Sequence, residues 1–144
     1  MKELFVKKVV LISCVSKKQA VKSIAAELYT STLFKLNLQY AGKVKPDVIF
    51  ILSAKYGLIT LDDEIEPYDV TLNKMRANER KVWASNILEQ LQLHADLRHD
   101  HFIVLAGERY RQYLLPHLKS YEIPLKGLPI GRQLQYLKRQ VCDE

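Results

Sequence analysis

Five short segments of this 144-residue chain bring together groups able to do chemistry. Glu66-Pro67-Tyr68-Asp69 offers carboxylates beside a rigid proline, and the short side chain of Asp69 suits positioning a water or balancing positive charge in a transition state. Ser13-Cys14-Val15-Ser16-Lys17-Lys18 offers hydroxyls and amides that can form an anion-binding turn, with Lys17 or Lys18 adding charge. The glycines of a phosphate-binding P-loop are absent from it. Ser53-Ala54-Lys55-Tyr56-Gly57 repeats the pattern of hydroxyl and ammonium, with Lys55 suited to phosphate and Tyr56 either stacking a base or packing under a sheet edge. Gly107-Glu108-Arg109-Tyr110-Arg111 and Gly127-Leu128-Pro129-Ile130-Gly131-Arg132-Gln133 add glycines, guanidinium groups and the Gln133 amide, which can read a base edge.

The competing explanations are structural. Cys14 is more simply a small core residue than a nucleophile, because no histidine is fixed beside it in the sequence. Asp69 can equally cap a turn before Thr71, and Gly127–Gln133 can be a loop leading into a core helix. The four histidines show no ligand spacing, and no metal or cofactor is expected.

These segments follow apolar runs that read as buried strands: Lys8–Ser13, Val48–Ser53, His101–Ala106 and Tyr121–Pro124. Helical periodicity fills the gaps, from Thr30 or Ser31 to Gly42, from Asn78 to about Leu93, from Gly107 to Leu118, and onward from Pro129. Strands alternating with helices imply a single α/β domain over residues 1–144. The expectation is a three-layer α/β/α sandwich with a four-stranded, mainly parallel sheet of order 2-1-3-4. Its switch point would bring the loops after Ser13 and Ala106 face to face across a crevice.

Composition narrows the partner. The net charge is +6, but residues 1–55 carry ten lysines against three acids and residues 56–100 five bases against nine acids. A basic body around a locally acidic loop points to a polyanion, here nucleic acid with DNA preferred, and to no membrane. Two cysteines in the whole chain fit a reducing cytoplasm.

Taken together, Ile12–Lys18, Leu28–Phe34, Ile51–Leu58 and Glu66–Leu72 resemble a largely uncharacterised family of small bacterial and phage proteins. More distantly, the Ser-Cys-x-x-Lys strand end is similar to the base-modifying domain of archaeosine synthase, and the expected sheet to uracil-DNA glycosylases. The water-activating Asp/Pro motif and histidine loop of those glycosylases have no counterpart in this chain. The basic body, the acidic loop and the tyrosines beside the expected crevice together suggest a nucleic-acid base glycosidase, a hydrolase that excises a modified pyrimidine such as 5-hydroxymethyluracil in a DNA-repair setting. The alternative is a non-catalytic module binding nucleic acid or a modified nucleotide. In the first reading Asp69 is catalytic; Ser13, Cys14, Lys17, Ser53, Lys55, Tyr56, Tyr68, Gly107, Arg132 and Gln133 contact the substrate.

Overall fold

In the computed structural model, residues 6–14 and 18–142 are described. Lys17, together with Val15 and Ser16, lies outside them. Runs of β-branched and aromatic residues form the centre: β1 (Lys8–Ser13), β3 (Val48–Ser53) and β6 (His101–Leu105). β1 pairs in parallel with both β3 and β6, and β6 in parallel with β7 (Ser120–Glu122). Val9 to Ile12 are each fully buried, and successive strand side chains point to opposite faces, so both faces of the sheet are covered.

The sheet has five strands, not the four expected. Its order is β4-β3-β1-β6-β7, because Gly57–Thr60 turns back on β3 as the antiparallel edge strand β4. The segment that reads in sequence as a long loop after Ser53 is therefore largely ordered. β5 (Glu64–Ile65) pairs with β2 (Ser23–Ile24), and the Lys18–Tyr29 bridge adds a second tie. The excursions that leave β1 and β3 are thus stitched to one another above the sheet.

α1 (Ala25–Leu28) is one turn, and α2 (Thr32–Lys43) begins where the Ser31 hydroxyl accepts from Phe34 N at 3.1 Å. α3 (Ala77–Gln92) has Arg76 at its N-cap position, and Glu79 compensates by accepting from Arg76 N at 3.0 Å. Trp83 Nε1 donates to Ser53 O at 3.0 Å and fixes α3 against β3. The helix expected over Gly107–Leu118 is a second correction. It shrinks to α4 (Glu108–Arg111), a turn and a 3-10 turn at Leu115–His117. Pro116 is the reason, since it lacks the amide donor that an α-helix would need at that position. The apolar stripe Tyr110, Leu114, Leu118 is buried all the same. α5 (Ile130–Cys142) packs on α2, with the Tyr40 and Tyr136 rings 6.2 Å apart.

Candidate functional site

The chain leaving β1 crosses to β3 on one side and the chain leaving β6 crosses to β7 on the other, so the connections that follow β1 and β6 diverge and leave a crevice. A cleft of about 1020 Å³ occupies this position. Ser13 and Cys14 line it from β1, Ala106 to Arg111 from β6 and α4, Leu33 and Asn37 from α2, and Ile130 and Gln133 from α5. Gly107 N donates to Ser13 Oγ across the gap, a long bond of 3.4 Å. Gly107 has an ordinary backbone conformation, and a Cβ added there meets nothing within 4 Å. Its missing side chain leaves open space at the cleft wall.

The segment that follows Asp69 is tied to this cleft by Tyr110. The Tyr110 hydroxyl accepts from Leu72 N at 3.4 Å, lies 3.5 Å from Thr71 Oγ1, and receives the Cys14 thiol at 3.4 Å. One buried phenol thereby joins the end of β1 to the segment that follows Asp69. Burial raises the Tyr110 pKa above the usual phenol value, so the group stays a neutral hydrogen-bonding hub. Asp69 itself is exposed, on the lining of the cleft beside Val70, Thr71, Asn73 and Lys74. Cys14 is 6% exposed, with its backbone amide bonded to Leu52 O at 3.0 Å.

Lys18 stands next to this group. Its ammonium sits 4.3 Å from the centre of the Tyr68 ring, a cation–π contact worth about 0.5–2 kcal/mol. Burial lowers its pKa, and proximity to Cys14 and Asp69 acts in the opposite direction. Tyr68 is held from behind. Ser53 Oγ donates to its hydroxyl at 2.9 Å, and that hydroxyl lies 2.5 Å from Tyr29 Oη. Burial pushes the Tyr29 pKa up to about 12 and that of Tyr68 up in the same direction. With Lys18 over its ring, the Tyr56 ring packed edge-to-face at 5.5 Å between centres and its hydroxyl engaged, Tyr68 is a platform for Lys18.

The second strand end has a different job from the first. Ser53 is fully buried, and its hydroxyl oxygen accepts from Lys55 N at 3.3 Å and Tyr56 N at 3.0 Å. Gly57 follows with φ +78°, and Leu58 N then donates to Gln90 Oε1 at 3.0 Å. Ser53 to Gly57 is the turn of the β3–β4 hairpin, which needs a hydroxyl to hold its amides and a glycine to reverse the chain. Lys55 projects outward with its ammonium 5.3 Å from the Tyr56 ring centre.

Two further amides join Asn73 on the cleft lining. Gln133 Nε2 donates to Leu128 O at 2.7 Å, which orients its carboxamide on the cleft lining. Asn37 is 5% exposed, and its Oδ1 is buried with no hydrogen-bond partner. A buried acceptor left unpaired costs about 1–3 kcal/mol, so this side chain is maintained at the expense of stability. Arg111 is tied to Ala106 O at 2.8 Å, whereas Arg109 and Lys74 are exposed cations on the lining.

The cleft therefore collects Ser13, Cys14, Asp69, Gly107 and Gln133 of the residues singled out by sequence. Ser53, Lys55, Tyr56, Tyr68 and Arg132 are not on its lining. Sequence reasoning missed Asn37, which its spacing disguised as one more residue of a helical stripe. It also missed the hub role of Tyr110, which was read only as part of an apolar face. Among the described residues, no group of three or more His, Cys, Asp or Glu side chains is placed to hold a metal ion. No helix among them is long and apolar enough to cross a membrane.

No curated protein and no solved structure matches the chain. Residues 9–139, which contain every strand end and loop that lines the cleft, match the family of unknown function DUF6884, and the chain belongs to that family.

Proposed function

We propose that this protein is a nucleic-acid base N-glycosidase that excises a modified pyrimidine, with 5-hydroxymethyluracil in DNA as the first substrate to test. The observation that carries the reading is the cleft at the switch point, which combines apolar walls, the amides of Asn37, Asn73 and Gln133, and the exposed carboxylates of Asp69 and Glu108. A base taken out of the stack needs all three. Leu33, Ile123, Leu125 and Leu128 provide apolar surface for the base, in place of the tyrosines Tyr56 and Tyr68. Asn37, Gln133 and Ser13 contact its polar edge. Lys18, Lys74 and Arg109 attract the flanking phosphates.

In the reaction the N-glycosidic bond breaks, the base leaves with the bonding electron pair, and positive charge grows on the sugar. Asp69 stabilises that charge and orients the water whose oxygen bonds to the sugar carbon, while the proton of that water passes to the carboxylate. The departing base gains a proton from solvent or from the Ser13 side of the cleft. The layout also supports a relationship with the fold of uracil-DNA glycosylases, and with it a cytoplasmic role in DNA repair.

The exposure of Asp69 favours a second reading, a non-catalytic module for nucleic acid or a modified nucleotide, since a base catalyst works best shielded from water. One experiment separates the two. DNA and RNA oligonucleotides carrying a panel of modified bases are incubated with the protein, and released base is measured by mass spectrometry. The glycosidase reading expects release and an abasic strand, with Asp69→Asn losing about 10²–10⁴-fold in rate and retaining binding. No release from any substrate, with binding intact, leaves the module.

A further inference from the structure

The positive charge of the chain is distributed unevenly over its helices. α2 and α5 contain five basic residues, Lys35, Lys43, Arg132, Lys138 and Arg139, and not one acid, whereas α3 carries Glu79 and Glu89 against Arg80 and Lys81. α2 and α5 also lie side by side. Their first halves contribute Leu33, Asn37, Ile130 and Gln133 to the cleft, the Tyr40 and Tyr136 rings meet midway, and Lys43 Nζ donates to Gln140 O at the far end. The two helices therefore run parallel, with both N-termini at the cleft. Lys35, Arg132, Lys138 and Arg139 are all exposed, on the outer surface of this pair.

We infer that the outer face of α2 and α5 is a track for the phosphate backbone of a nucleic acid, along which the strand runs as it leaves the cleft. Helices of 12 and 13 residues are about 18–20 Å long, a length that spans five or six phosphates on one strand of B-DNA. Four outward cations along that length can neutralise most of those phosphates. Charge placed only for solubility is mixed in sign, as on α3, and an acid-free pair of adjacent helices departs from that pattern. Lys43 has a separate part, joining the ends of the two helices. The choice of nucleic acid as the polyanion rests on the reading of the cleft given above. The track itself rests on the charge map and on the direction of the helices.

The test is the salt dependence of binding to an unmodified 20-nucleotide DNA, single-stranded and duplex, by fluorescence anisotropy. Losing three phosphate contacts in Lys35→Gln/Arg132→Gln/Arg139→Gln flattens the slope of log K against log salt by about 2.7 for duplex or about 2.1 for single strands. Lys81→Gln, an exposed change on α3, leaves the slope as it was. These side chains are exposed, so the triple variant keeps the wild-type circular dichroism spectrum and Tm. An unchanged slope in the triple variant, or an equal loss in Lys81→Gln, overturns the track. Competition by polyglutamate, or by vesicles rich in phosphatidylserine, at the same charge concentration as DNA also overturns it, in favour of an acidic protein or a membrane surface. Base release is not read in this assay, so the track can fail with the glycosidase intact, or stand after the glycosidase has failed.

Discussion

Asn37→Leu is expected to make the free protein more stable and less able to bind. Asn37 is 5% exposed, and its Oδ1 has no partner. Leucine has nearly the same reach, removes an unpaired polar group worth about 1–3 kcal/mol and leaves no cavity. Unfolding entropy of about 2.1 cal/mol/K per residue gives about 0.3 kcal/mol/K for this chain, so Tm rises by about 3–10 °C. Ligand affinity moves the other way. A polar edge that meets a leucine loses a hydrogen bond and stays desolvated, an effect of about tenfold or more in Kd. Calorimetry on the free protein and anisotropy with the best oligonucleotide from the base panel measure the two halves. A lower Tm would mean that the amide is already engaged within the folded protein. A higher Tm with unchanged affinity would remove Asn37 from the binding site.

Alkaline unfolding follows from the buried phenols. Tyr29 releases its proton near pH 10 when unfolded and near pH 12 when folded, so the folded state binds more protons between those values and stability falls as pH rises through them. Tyr29 alone accounts for about 2–3 kcal/mol of this loss, and Tyr68 and Tyr110 act in the same direction. Lys18 has the opposite sign, because its lowered pKa lets the unfolded chain bind more protons just below pH 10.5. Urea midpoints at pH 9, 10 and 11 should therefore fall steeply in the wild type and less in Tyr29→Phe; an identical decline would refute the assignment. Gly57→Ala should cost about 1–3 kcal/mol, since φ is +78° and the new Cβ would lie 2.6 Å from Gln90 Oε1. Gly127→Ala, at φ +77° with open space around it, is the control, and equal Tm losses in the two would show that Gln90 gives way freely.

The fold was legible where one physical signal dominated. Unbroken runs such as Val9–Ile12 can only be buried on both faces, and they marked the parallel strands; Trp83, Ile87 and Leu91 recur at helical spacing and are all buried in α3. The edge strand Gly57–Thr60 escaped because its identity depends on a turn held by Ser53 and Gly57, whose polar residues look the same in sequence as a binding loop. Pro116 was the overlooked stop signal inside the expected third helix. The cleft was legible as a place, from the strand order around β1, but less so as a set of residues. Whether a hydroxyl holds its own turn, as in Ser53, or bridges to a distant segment at the cleft, as Ser13 does to Gly107, is decided by loops that pair far apart in sequence.

The divergence of the two strand ends bears directly on which carboxylate to trust. Had Ser53 and Lys55 faced the cleft, the chemistry would have been shared between two equivalent hydroxyl and lysine sets, and Asp69 would have been one acid among several in its loop. Instead the hairpin turn consumes Ser53, and the hydroxyl of Ser53 supports Tyr68, which in turn carries Lys18. Tyr110 then fixes Thr71 and Leu72 against the Cys14 thiol, so the chain between Tyr68 and Thr71 is anchored on both sides. Asp69 is the acid within that short span, and it is on the cleft lining, whereas Asp62, Asp63, Glu64 and Glu66 are not. The second strand end thus builds the frame that presents Asp69 beside Lys18, while Glu108, the other carboxylate on the cleft lining, stands on α4.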